Sequence, residues 1–170
     1  MQLISSDTSV WIDFEVIDAL AEPFLLNSCY SFLMSAETMD AELQYPSDLS
    51  ARLKEYGLVR TELQDDEYLL AMTLGSKYKQ LSSYDTFALA IAQNRGIPIL
   101  TGDGALRKAA EKEGVEFHGT LWVIDRLWEE KAITQQRYKE ILCSLKSLCG
   151  GAVRLPLDEI DHRLELLEDE

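Results

Sequence analysis

Four carboxylates stand where they could do chemistry together: Asp7, Glu42, Asp85 and Asp103. Asp7 follows a short apolar run directly, in Ser5-Ser6-Asp7-Thr8-Ser9, and Asp103 sits between two glycines just after the apolar stretch Ile-Pro-Ile-Leu-Thr. Both are expected at the carboxyl ends of strands, where ligands of open α/β sheets bind. Asp85 falls on the first turn of the helix that leads into the second of those strands. Glu42 lies on a helix after another strand, with Glu37 and Asp40 competing for its inward position. Four bare anions sharing a small volume would raise one another's pKa values. Hard divalent cations remove that conflict, and an all-oxygen donor set suits Mg²⁺ or Mn²⁺. Such ions orient a phosphodiester, lower the pKa of a bound water and stabilise the leaving oxygen. Taken singly, each acid also has a plain reading: Asp7 as a turn former, Asp85 as half of a capping box with Ser82, Asp103 as a loop acid.

The elements that must position these groups alternate between strand and helix. Gln2 to Ser6 reads as a strand, Trp11 to Ala21 as a helix and Asn27 to Ser35 as a second strand. Ser35 caps a helix that Pro46 closes, Ser50 caps another that stops at Gly57, and Leu-Val-Arg-Thr-Glu-Leu alternates as a strand should. Asp65 and Asp66 open a helix with acids at its positive end. Ser82 caps the next, with Gly96 as its stop, and the wholly apolar strand after it is of the kind buried in a parallel sheet. A helix through Lys112, a short strand near Phe117 and helices over 120–131 and 134–148 follow, the last capped by Thr134. The pattern predicts a three-layer α/β/α sandwich around a central parallel sheet. Gly150-Gly151 interrupts it, so residues 1–150 are expected to form the domain and 151–170 an acidic arm or short helix.

At 170 residues the chain is sized for one domain with a substantial core. No apolar run approaches the ~20 residues of a membrane span, and the N-terminus lacks the basic and apolar regions of a secretion signal. Cys29, Cys143 and Cys149 form neither an even disulfide set nor a close metal pair, as expected of free thiols in a reducing cytoplasm. The net charge of −14 opposes nucleic-acid binding unless basic groups cluster or metal neutralises the site. Asp13 and Asp125 read as solvated or capping residues, His118 as too isolated for a histidine-based site, and Trp11, Trp122 and Trp128 as core or interface. Ile160, Leu164 and Leu167 share one helical stripe, expected to dock on the domain or a partner with its acids outermost, where they would repel stray polyanions. The alternative for that segment is a frayed terminus.

Ser-Ser-Asp-Thr-Ser-Val-Trp-Ile-Asp near the start, Met-Asp-Ala-Glu-Leu, residues 81–115 and residues 119–134 together resemble a PIN-domain protein of the prokaryotic type. The resemblance implies a Mg²⁺- or Mn²⁺-dependent ribonuclease, with its acidic positions at Asp7, Glu42, Asp85 and Asp103 and its hydroxyl position at Thr101. It also implies a toxin role with a cognate antitoxin, and a homodimer whose groove takes basic contacts from Arg107, Lys108, Lys77 and Lys79. Residues 154–167 are similar to the tail of a PIN subgroup described mainly as predicted nucleic-acid-binding proteins. A haloacid-dehalogenase-type phosphatase needs a second aspartate where this chain has Ser9, and a receiver domain needs an acid pair before Asp7. The remaining competitor is a PIN fold of little or no nuclease activity that serves as a binding or regulatory module.

Overall fold

Five short strands, β1 (Gln2–Ser6), β2 (Tyr30–Ser35), β3 (Val59–Thr61), β4 (Ile99–Leu100) and β5 (Phe117–His118), pair in parallel in the order β3–β2–β1–β4–β5. This architecture comes from a computed structural model, which describes residues 1–169. The chain winds outward in one direction from β1 to β3 and in the other from β4 to β5. The order therefore reverses between β1 and β4, and a crevice opens at such a reversal, outside the carboxyl ends of the strands. Ser6 pairs with Leu100, so the residues that follow, Asp7 and Thr101, emerge side by side at that point. The Asp7 amide donates to the Leu100 carbonyl at 2.9 Å and holds them there.

Helices cover both faces, as the alternating pattern predicts. On one face α1 (Thr8–Val16), α3 (Leu49–Tyr56), α7 (Thr120–Glu129) and α8 (Gln135–Leu148) bury Trp11, Phe14, Leu53, Ile124 and Leu142 against Ile4, Phe32 and Met34 of the sheet. Met39 of α2 (Ala36–Glu42) joins the same core. On the other face α4 (Asp65–Lys77), α5 (Ser83–Arg95) and α6 (Gly104–Lys112) pack Leu74, Leu89 and Leu106 with Ile99. Three alanines of α5, Ala88, Ala90 and Ala92, are buried, and such small residues let the helix lie close on the sheet.

Local structure departs from the sequence expectation in three places. The first helix ends at Val16 rather than Ala21, because Asp18 turns left-handed (φ 56°). Ala19 then donates back to the Phe14 carbonyl in a Schellman-type closure. A 3-10 helix, Glu22–Leu26, with Pro23 in its first turn, occupies the next stretch, and it delays the second strand from Asn27 to Tyr30. Third, α3 begins at Leu49, which puts Ser50 inside the helix instead of at its cap.

The acidic C-terminal segment is helical and docked. Within α9 (Leu157–Glu168), Ile160 and Leu167 are buried and Leu164 packs beside them on the α7–α8 side of the core. Arg163 adds a two-pronged bond to Asp125 of α7 (2.8 and 2.9 Å), and Lys146 of α8 reaches Asp161 at 2.7 Å. Asp125, expected as a solvated or capping residue, is instead the anchor for this helix. It also accepts from the Tyr138 hydroxyl at 2.7 Å.

Candidate active site

Asp7 leaves β1 and becomes the N-cap of α1. Its Oδ1 accepts from the Thr8 amide at 2.7 Å, while Oδ2 accepts from the hydroxyls of Ser9 (3.0 Å) and Thr101 (2.8 Å). The residue is only 6% exposed. An aspartate there satisfies the turn and still presents a carboxylate at the switch point, so the plain reading and the functional one hold together. Thr101, fully buried, also accepts from the Asp103 amide at 3.0 Å, and the Ser9 hydroxyl accepts from the Gly102 amide at 2.9 Å. These bonds clasp the loop after β4 to the loop after β1 and fix Asp7 relative to Asp103.

Asp103 caps α6 through a 3.1 Å bond from the Leu106 amide and is otherwise exposed. Asp85 completes a capping box with Ser82, each side chain accepting from the other's amide at 2.9 and 3.1 Å. Glu42, the last residue of α2, accepts from the Thr8 hydroxyl at 2.9 Å. Its rivals on that helix face elsewhere: Asp40 pairs with Arg60, and Glu37 receives the Tyr68 hydroxyl.

Electrostatics tie the four acids together. Burial raises the pKa of Asp85, and the charges of Asp7 and Asp103 push it the same way against the bonds from Ser82. Burial also raises Glu42, opposed by the Thr8 bond and reinforced by the charges of Asp7 and Asp85. Each acid lies within the field of at least one other, and among the described residues none of the four has a basic partner within ion-pair distance. Like charge without a counter-ion, placed in a cleft, is a mark of a functional site.

Sequence reasoning left Thr8 and Ser9 without a role, although they stand beside Asp7 and bind Glu42 and Asp7 respectively. It also misread Asp13, which is buried, bonded by the Thr120 hydroxyl at 2.8 Å and raised in pKa by that burial. His118 stacks on Trp122 with ring centroids 4.0 Å apart. Of the basic candidates, Lys77 is held by Glu113 at 2.7 Å, while Lys79 and Lys108 line a recess with Lys112 between α4 and α6.

The donor set fits a hard divalent ion: every group is an oxygen, and the carboxylate charges lack any internal counter-ion. Among the described residues no three of these acids are already drawn round a common point. Glu42, Asp85 and Asp103 each turn one oxygen toward a local partner, and Asp7 turns both.

A parallel sheet covered on both faces, with carboxylates at its switch point, defines an α/β/α sandwich. A PIN-domain family model matches residues 3–168, and no curated protein matches the chain. The chain belongs to the PIN-domain family. PIN domains are in general nucleases, hydrolases that act on nucleic acid, and they typically use divalent metal ions. Among the described residues no helix is long and apolar enough to cross a membrane.

Proposed function

We propose that this protein is a Mg²⁺- or Mn²⁺-dependent endoribonuclease, with Asp7, Glu42, Asp85 and Asp103 holding the metal. The observation that carries the reading is four carboxylates within one another's field and without a counter-ion, two of them raised in pKa by burial and further by the others' charge. A bound divalent ion there would supply an activated water and offset charge on the leaving oxygen. The chain's own contribution is placement. Thr101 and Ser9 hold Asp7 Oδ2, which makes them positioning residues, and Thr8 orients Glu42. The raised pKa values of Glu42 and Asp85 mean that metal binding competes with protons at these two sites, so metal affinity rises with pH.

A toxin's role in a toxin–antitoxin pair and a cytoplasmic setting belong to the same reading. So does homodimerisation, for which α4 offers Leu69 and Met72, 66% and 71% exposed, as an apolar seat. The acidic balance of −14 favours a second reading, a binding or regulatory module with little cleavage. The test uses EDTA-stripped protein resupplied with Mn²⁺ and given single-stranded RNA. Cleavage by the wild type that both Asp7→Asn and Asp103→Asn abolish supports the nuclease. Undiminished cleavage by both variants overturns the site assignment, and RNA binding without any cleavage by the wild type favours the module.

A further inference from the structure

Eight arginines occur in this acidic chain, and six of them, Arg52, Arg60, Arg95, Arg126, Arg137 and Arg163, hold carboxylates. Among the described residues the other two, Arg107 and Arg154, form no ion pair, and both border the acidic crevice. Arg154 lines a cavity of about 580 Å³ together with Ser9, Gly102 and Asp103. Arg107 lines a neighbouring cavity of about 510 Å³ with His118 and Trp122. Leu155 belongs to both walls, so the two cavities adjoin along the segment that leads into α9.

Arg107 is positioned rather than merely present. Its Nε donates to the carbonyl of Thr101 at 3.0 Å, the residue whose hydroxyl holds Asp7. Its remaining N–H groups have no protein acceptor among the described residues, and burial without an acid partner lowers its pKa. The guanidinium occupies space that a side chain at position 119 would fill, since a Cβ on Gly119 would collide with Nη2. Gly119 has φ −127° and ψ −170°, extended backbone open to any residue, so what a larger residue would disturb here is the placement of the Arg107 guanidinium. Two cations left without acids in a chain of −14 are suited to an anion from outside, and the adjacent aromatic pair is suited to bases.

We propose that the paired cavities form one groove that carries single-stranded RNA away from the acidic crevice, with phosphates on Arg154 and Arg107 and a base against the His118–Trp122 pair. The groove rests on the nuclease reading of the crevice and adds a path for the strand beside it. Asp158 and Glu159 flank its far end; Glu159 is held by Arg163 at 3.1 Å, and Asp158 faces the cavity with no cation of its own. Those acids limit the groove to a short stretch of backbone. The segment after Gly151 therefore has two parts, a cationic wall at Arg154 and an acidic border beyond it.

The test measures anisotropy of a fluorescein-labelled single-stranded RNA of about a dozen nucleotides, in EDTA, across a salt series. Arg154→Gln, at an exposed position, should bind about tenfold more weakly at low salt and lower the salt slope by roughly 0.7, the loss of one phosphate contact on a single strand. Gly119→Ala keeps every charge but displaces Arg107, and it should weaken binding similarly. Trp122→Leu should weaken binding with the slope unchanged. Lys139→Gln, in the crease between α8 and α9, should match the wild type. Equal affinity and slope for Arg154→Gln and wild type, or no binding by the wild type, overturns the groove. Binding that follows this pattern in a protein that never cleaves with Mn²⁺ supports the groove and overturns the nuclease reading alone.

Discussion

Glu67 and the acids of the crevice have the same functional group in opposite circumstances. The Glu67 side chain is fully buried between α4 and α5, yet it is answered there: Arg95 donates from Nε and Nη2 at 2.8 and 2.9 Å, Asn94 at 3.2 Å, and the Gln64 amide at 2.9 Å. Burial pushes its pKa up, and these bonds more than reverse the push, so the carboxyl sits below its ordinary value. In the crevice Glu42 and Asp85 are less deeply buried, yet partial burial with other carboxylates as neighbours holds them above theirs. Burial of an acid thus says little about function. What separates a structural carboxylate from a site is whether the fold supplies the counter-charge or leaves it to a ligand.

The sharpest way to break this contrast is to remove the cation from Glu67. Arg95→Met should cost about 3–5 kcal/mol in urea unfolding, the usual penalty for stranding a buried charge. A loss under about 1 kcal/mol would show that water reaches Glu67 and that the pair is a surface bridge. Next comes the missing charge of the crevice. Mn²⁺ at a hundredfold over its Kd should stabilise the wild type by about 2.7 kcal/mol, and Asp7→Asn should lose most of that gain. Equal Mn²⁺ shifts in Tm for both proteins would remove Asp7 from the metal site.

A smaller effect distinguishes the two regions without metal. Asp85→Asn keeps an oxygen to accept from the Ser82 amide while deleting one of the repelling charges. At neutral pH in EDTA it should therefore raise Tm, by up to about 2–4 °C for a domain of this size. A lower Tm would mean that the anion, not the cap, is what the fold needs.

The smallest effect is in the pH dependence. Glu67 has a depressed native pKa, so its contribution is complete above the free-carboxylate pKa and is lost as pH falls through the native one. Asp85 and Glu42 have raised native pKa values, so the metal-free fold binds more protons than the unfolded chain and loses stability as pH climbs through that window. In EDTA the double variant Glu42→Gln/Asp85→Asn should flatten the fall in stability with rising pH above the free-carboxylate range and leave the acid limb intact. A wild-type profile without that fall would contradict the raised values.

The docked C-terminal helix also decides how the polyanion-repelling role expected of the tail can be tested. Val153 and Ile160 are fully buried and Leu167 nearly so, so truncation at Gly151 would open the core rather than remove a charged appendage. Neutralising Asp158 in place is the cleaner change, since its carboxylate faces the groove and has no ion-pair partner among the described residues.

Rules that act within a few residues were enough to read much of this protein from its sequence. An apolar run ending in an acid and hydroxyls gave β1 and Asp7, Ser82 with Asp85 gave a capping box, and Gly-Asp-Gly gave the loop before a helix, though not the cap that Asp103 makes there. Each depends only on backbone groups one to four positions away, which is why these elements fold as their composition suggests. Choosing Glu42 over Glu37 and Asp40 was beyond such rules, because it depends on Arg60 and Tyr68 engaging the rivals from β3 and α4. The left-handed turn at Asp18 and the 3-10 helix after it carried no decisive local signal either. Pairings such as Glu67 with Arg95, Asp125 with Arg163, and Ser9 with Gly102 join residues 28, 38 and 93 positions apart. Only the closed sheet and its packed helices bring those partners within hydrogen-bond range, so tertiary structure alone determined which acids are neutralised and which are left without a counter-charge.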